Sequence, residues 1–167
     1  MKSIEYYEGF GDFCRALRGG GVFLVVEDPR GKPNPMTIGW GTLGAVWGEP
    51  VLTVLVRPSR HTFGLLEKAR CFSVNVPIGK MPDELQFCGT RSGRDLDKIR
   101  ECGMKVAPGS TKGVSILPGC DLFYECEIVH KTKVIKETLD PGIIDRYYQE
   151  GDYHTVYSGR ILRAYRK

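Results

Sequence analysis

The stretch MTIGWGTLGAVWGEPVLTVLVRPSRHT, residues 36–62, decides how the rest of the chain is read. It reads as two strands, Met36 to Val46 and Val51 to Val56, joined by a turn and followed directly by the first turn of a helix. Met36 to Gly41 sets Trp40 between two glycines in a segment otherwise suited to a strand. Alternate strand side chains point to opposite faces, and backbone groups beside glycine can approach a flat heterocycle closely. Trp40 therefore reads either as a core residue or as the wall of a ring-binding site. At the other end, Arg57-Pro58-Ser59-Arg60-His61-Thr62 marks where a strand stops and a helix begins. A helix start leaves backbone N–H groups unpaired and carries partial positive charge, and here hydroxyls and guanidinium groups join it. The segment reads either as an anion site, with Ser59, Arg60 and Thr62 in front and Arg57 close behind, or as a capped helix with two solvated arginines.

With Asn34, Met36-Thr37 and Trp40-Gly41, then Trp47-Gly48-Glu49-Pro50-Val51, then Val56 through Thr62, the chain resembles the flavin reductase-like family of FMN-binding split barrels, its flavoredoxin-like branch in particular. Cys88-Gly89-Thr90-Arg91-Ser92-Gly93-Arg94-Asp95-Leu96-Asp97-Lys98 is similar to that family's second motif, and the resemblance covers most of the chain. It implies a mainly β, Greek-key split barrel with a few short flanking helices, one domain over residues 1–167, and a homodimer with FMN near its interface. It implies ring contacts from Met36, Thr37, Ile38, Gly39, Trp40 and Gly41. Phosphate contacts fall to Arg57, Pro58, Ser59, Arg60 and Thr62, joined by Ser92 and Lys98, and Phe87, Cys88 and Gly89 lie beside the flavin. Ser92 just before a predicted helix and Lys98 about one turn into it would reach toward one anion. The other reading of Lys98 is an exposed lysine paired with Asp95 or Glu101.

Composition bounds the remaining possibilities. A chain of 167 residues fits one domain and can bury a substantial core. Its 21 glycines exceed average usage and point to many tight turns between short strands. The net charge of +4 is spread along the chain, so it argues for neither nucleic acid nor an anionic membrane surface. The N-terminal MKSIEYYEGFGDF lacks the apolar run of a signal peptide, and no segment has the length of a membrane span, so a cytoplasmic location is expected. The six cysteines form no C-x-x-C pair and read as reduced thiols, with Cys88 a binding-site neighbour rather than a catalyst. Three scattered histidines without acidic partners at ligand spacing give no metal site.

Taken in order, Tyr6, Phe10, Phe13 and Leu17 suggest a short amphipathic helix, with Gly9 and Gly11 against its first half. Val22 to Val26 is a buried strand. Asp28 to Pro35 holds three prolines and is expected to be loop. A helix is expected over Thr62 to Arg70, and a strand with one buried face over Cys71 to Val76. Further helices are expected at Pro82 to Phe87 and Asp95 to Cys102, and Met104 to Gly119 is expected to be loop with at most one short strand. Cys120 to His130 alternates Leu122, Tyr124, Cys126 and Ile128 against Asp121, Glu125 and Glu127, a strand with a solvated face. A helical turn near Ile143 to Tyr148 precedes a last long strand, Tyr153 to Arg166, interrupted at Ser158-Gly159.

Flavin needs an anion site, a flat surface with backbone hydrogen bonds, and access for a hydride donor. The expected activity is that of an FMN-dependent oxidoreductase moving electrons between NADH or NADPH, flavin and a small-molecule or protein acceptor. His154, in Asp152-Tyr153-His154-Thr155, is the catalytic candidate, positioning nicotinamide or protonating reduced flavin; its other reading is a water-exposed strand end. The alternatives are a flavoredoxin-type electron carrier without efficient NAD(P)H turnover and a non-redox module for another phosphorylated ligand.

Overall fold

The computed structural model describes residues 1–167. The chain opens with strand β1 (Lys2–Ser3), a 3-10 turn at Tyr6–Gly9 and helix α1 (Phe10–Arg18), which runs through Gly11. Strand β2 (Val22–Glu27) follows, then β3 (Pro33–Ile38), β4 (Gly41–Val46), β5 (Glu49–Val56), α2 (His61–Leu66) and β6 (Cys71–Val76). Next come α3 (Pro82–Thr90), α4 (Lys98–Glu101) and the two-residue strands β7 (Ala107–Pro108) and β8 (Ser115–Ile116). Strand β9 (Leu122–Lys133), helix α5 (Pro141–Tyr147) and strand β10 (Thr155–Arg166) complete the chain. The long antiparallel sheet runs β3-β2-β6-β9-β10-β5-β4, with β1 added on β10.

This sheet curls around one core. Val22, Leu24 and Val26 of β2, Leu52, Val54 and Val56 of β5, and Phe72, Val74 and Val76 of β6 point inward to join Phe13, Tyr124 and Tyr157. The opposite face of β2, Phe23 and Val25, is covered by Leu85 and Cys88 of α3 and by Ile116, Leu117 and Cys120. Two covered faces explain the unbroken apolar run of β2.

Several expectations give way. Met36 to Val46 is not one strand: β3 pairs with β2, β4 pairs with β5, and Gly39-Trp40 is the corner where the chain changes partner. Pro33 and Pro35 lie in β3 rather than in a loop. An edge strand offers only one side to the ladder, so a missing N–H on the outer side leaves nothing unpaired. Strand β6 is buried on both faces, because Ser73 Oγ donates to the Ser115 carbonyl at 2.6 Å, Asn75 donates to Ser73 Oγ, and Asn75 Oδ1 accepts from Leu117 N–H. The outer face of β9 is likewise not solvated at Glu125, whose buried carboxylate accepts from Ser110 N–H, Thr111 N–H and Tyr165 O–H. Helix α2 stops at Leu66, short of Arg70. Helix α4 begins only at Lys98, because the Asp97 carboxylate caps Ile99 and Arg100 N–H and fixes the start there.

Strand β10 pairs on both sides, with β5 and β9, and its register against β9 slips between Ser158 and Gly159. A Cβ on Gly159 would lie 2.5 Å from Phe72 Cζ and 2.7 Å from Cys126 Cβ, both in the core. Gly159→Ala should therefore destabilise the fold by about 1–3 kcal/mol through overpacking. Urea unfolding of the two proteins measures this, and an unchanged midpoint would show that the ring and strand shift without penalty.

Candidate functional site

The corner at Gly39-Trp40 opens one wall of a cavity of about 190 Å³, lined by Met36, Thr37, Ile38, Gly39 and Trp40, by Leu55, Val56, Arg57 and Arg60, and by His154. Leu55 explains why β5 is apolar on both faces: its inner residues enter the core and this outer one borders the cavity. Trp40 is 37% exposed, lies edge-on to Tyr147 with ring centroids 4.9 Å apart, and tilts against His154 at 4.9 Å. The core reading of Trp40 therefore fails. His154 is buried rather than exposed, and its Nδ1 shares a hydrogen bond of 2.7 Å with the Tyr148 hydroxyl. Burial, assisted by the Arg57 charge, lowers its pKa to about 4.

A second cavity of about 130 Å³ adjoins the first through Met36 and Arg60, which line both. Around it stand Arg60, His61, Arg91, Arg94 and Lys98 with Ser59, Thr62, Thr90 and Ser92, and no carboxylate. Arg60 Nη2 donates only to the Gly89 carbonyl, at 2.7 Å. Lys98 is buried at the start of α4, where its Nζ donates to the carbonyls of Pro35 and Cys88, each at 3.0 Å. The exposed, ion-paired reading of Lys98 is thus excluded. Burial lowers its pKa to about 8 and lowers those of Arg60 and His61, the last helped by Arg94 and Lys98. Buried positive charge without a counter-charge is strongly disfavoured, so the cavity is suited to an anion.

The two ends of the Arg57–Thr62 motif do different work. Arg57 lines the first cavity, not the cationic one. Its guanidinium donates to the carbonyls of Tyr147 at 2.7 Å and Asp152 at 3.1 Å, and packs 5.0 Å over the Tyr148 ring. Ser59 N–H and Oγ donate to the Asp152 carboxylate at 3.1 and 2.5 Å. Asp152 itself has a left-handed φ of +54, uncommon for a residue other than glycine, and these bonds hold it there. Together Arg57 and Ser59 clamp the segment 147–154 that brings His154 to the cavity, with Tyr147 against Trp40 and Tyr148 bonded to His154 behind it. Thr62 is buried and its Oγ1 accepts from Asn34 Nδ2 at 2.9 Å.

Gly41, Pro58, Phe87, Cys88 and Gly89 line neither cavity. A Cβ on Gly41 would lie 2.7 Å from the Thr53 carbonyl, so strand packing accounts for that glycine. Cys88 is buried in the outer core and its thiol is pushed up to about 12 by burial, which leaves it unreactive. Thr90, Arg91 and Arg94, to which the sequence assigns no role, stand within the second motif and border the cationic cavity. The role of Asp152 could not be read from the sequence, because its partner Ser59 lies 93 residues away. Tyr148 bonds to His154 only six residues on, but its place under the Arg57 guanidinium depends on the same long-range clamp.

Residues 17–167 match the model of the flavin reductase like domain. The chain belongs to the flavin reductase-like family. The mainly β split-barrel class expected from the sequence is the observed one. Flavoredoxin of Methanosarcina acetivorans is 26% identical, with a TM-score of 0.68 over 88% of this chain and 68% of that one. An FMN-binding protein from Thermus thermophilus, solved with bound p-hydroxybenzaldehyde, is 30% identical, with a TM-score of 0.66 over 88% of this chain and 72% of that one. An uncharacterized protein of Aeropyrum pernix is 29% identical over 107 residues, 64% of this chain, and the match spans only 40% of that relative's length. No helix of this flavin reductase-like protein is long and apolar enough to cross a membrane.

The buried His154 makes stability depend on pH with a definite sign. In the unfolded chain it binds its proton near 6.5, in the folded protein only near 4. Above pH 6.5 both states are neutral there. As pH falls from 6.5 toward 4 the unfolded state alone gains the proton, so the fold loses up to about 1.4 kcal/mol per pH unit. An NMR titration of the three histidines should show one imidazole with a midpoint near 4, absent in His154→Gln; midpoints all near 6.5 would contradict the burial argument.

Proposed function

We propose that the protein binds FMN across the two adjoining cavities and acts as an NAD(P)H-dependent flavin oxidoreductase that passes electrons to a second acceptor. The observation that carries this reading is the carboxylate-free cationic cavity opening, at Met36 and Arg60, into a cavity walled by strand backbone and Trp40. These residues fit a phosphate at one end and a flat ring at the other. When bound, FMN supplies the redox chemistry.

The chain supplies placement. Arg60, Lys98, Thr62 and Ser92 hold the phosphate, with Arg94 at the mouth. Residues 36–40 offer backbone groups and the Trp40 indole to the ring. His154 stays neutral at physiological pH, so it serves as a hydrogen-bonding group at the ring cavity, held in orientation by Tyr148, rather than as a cation. Hydride transfer requires no general base, and neither cavity contains a carboxylate. A homodimer completes the proposal. What supports it is Trp47 in the β4–β5 turn, at φ +56 with 66% of its surface exposed and one edge of its indole against His130, a large apolar surface available for a second copy to cover. The likeness to flavoredoxin supports a second reading, an electron carrier that NAD(P)H does not reduce efficiently.

Two measurements test this. Anaerobic addition of NADH or NADPH to the FMN-loaded protein should bleach the flavin bands; persistent bands favour the electron carrier, and a protein that takes up no FMN overturns the proposal. In fluorescence titrations Arg60→Ala should weaken FMN about 10–100-fold, the worth of a charged hydrogen bond, while riboflavin binding changes little. Equal losses for both ligands would place the phosphate elsewhere.

A further inference from the structure

Lys98 is bonded in a way that suits a nucleophile as well as a cation. Its side chain is buried, and its Nζ donates to the carbonyls of Pro35 and Cys88, each at 3.0 Å, with no carboxylate partner. An ammonium carries three hydrogens and a neutral amine two, so these carbonyls use the full donor capacity of the amine and leave one hydrogen of the ammonium over. In the neutral form only the lone pair remains free, and the cationic cavity that Lys98 lines is open space beside it. Burial lowers the Lys98 pKa to about 8, with the Arg60 charge acting in the same sense, so the amine is populated near neutral pH.

The cavity selects the electrophile. Its volume of about 130 Å³ and its border of Arg60, His61, Arg91 and Arg94, with no carboxylate, favour a small anion. An acylating group therefore reaches Lys98 preferentially when it arrives attached to a phosphate. We propose that Lys98 is a modification site for acyl phosphates, whose phosphate occupies the cationic cavity while the amine attacks the carbonyl carbon. The bond that forms is Nζ–C, the bond that breaks joins that carbon to the phosphate oxygen, and the proton shed by nitrogen leaves with inorganic phosphate. No oxidant, reductant or further reactant is needed. The product is a neutral amide with one N–H, enough for one of the two carbonyls, and its acyl group stands where an anion would. Acylation thus removes a charge from the cavity and closes it to phosphate. The consequence for flavin uptake rests on the FMN reading above; the modification itself does not.

The test treats the protein with acetyl phosphate or with acetic anhydride and follows each lysine by peptide mass spectrometry. With acetyl phosphate, Lys98 should be acetylated more than about tenfold faster than the exposed Lys105 and Lys136, through its amine population and the bound leaving group together. The anhydride carries no charge, and with it the exposed lysines should react first. Inorganic phosphate should protect Lys98 from acetyl phosphate. Arg94→Gln removes a cation whose side chain donates only to the Ser59 carbonyl. It should slow the acetyl phosphate reaction at Lys98 at least about threefold and leave the anhydride reaction unchanged. Lys98 reacting no faster than Lys105 and Lys136 overturns the inference, as does equal slowing of both reagents or a lack of protection by phosphate. FMN uptake is read separately: Lys98-acetylated protein should bind FMN at least about tenfold more weakly than untreated protein, and equal affinity overturns the link to the cofactor. If untreated protein takes up no FMN, the flavin reading falls while phosphate-protected acetylation of Lys98 stands.

Discussion

An ammonium group held inside the protein by two carbonyl oxygens and no carboxylate is the constraint on which this structure turns. Lys98 Nζ, at the start of α4, reaches Pro35 on the outer edge of β3 and Cys88 within α3, so one side chain ties an edge strand to two helices, beside the Thr37 hydroxyl bond from β3 to the Leu85 carbonyl of α3. Removing an ammonium from water costs several kcal/mol, and carbonyl dipoles offset only part of that. The remainder persists as positive potential in a cavity that Arg60 and Arg94 also face. Fold and ligand chemistry are therefore one problem here. The group that fixes where α4 lies is also the group that makes the neighbouring cavity favour an anion.

The second constraint is topological. A curled sheet whose end strands do not pair must leave a gap, and this chain passes across the gap at Gly39-Trp40, between β3 and β4. An aromatic residue at such a corner has no place in the core, which the inner faces of the strands already fill. Trp40 is instead presented at the gap, and the segment clamped by Arg57 and Ser59 brings Tyr147 and His154 to its other side. The recess between them is assembled from residues more than a hundred positions apart, held by a guanidinium reading three backbone carbonyls and a carboxylate on one serine.

Much of this was legible in the chain. Continuous apolar runs named β2 and β5, alternation named β9, and the glycine at residue 159 marked the slip in β10. The motif residues 36–40, 60, 62, 92 and 98 do converge on two adjoining cavities. What failed shares one physical cause: the state of a polar group depends on a partner the sequence does not reveal. Ser73, Asn75 and Glu125 look solvent-facing by pattern, yet each is buried because a backbone segment from residues 110–117 meets its hydrogen-bonding needs. Arg57 looks like a phosphate ligand beside a helix start but lines the other cavity, and although Ser59 does border the cationic one, nothing local announces its bond to Asp152. Pro33 and Pro35 look like loop formers until the strand order shows β3 at an end.

That last feature bears on how the protein behaves when crowded. A sheet end with free backbone groups is a template for adding a strand from another molecule. On β3 the template is blunted: two of its residues have no N–H to offer, the Pro35 carbonyl is taken by Lys98, and Thr37 is bonded to Leu85 of the covering helix. The opposite end, β4, has β5 on one side and no strand on the other, and its residues include Gly41 and Gly44. The sheet is thus protected at one end and open at the other, which confines any strand-to-strand growth at high concentration to one polarity and one place.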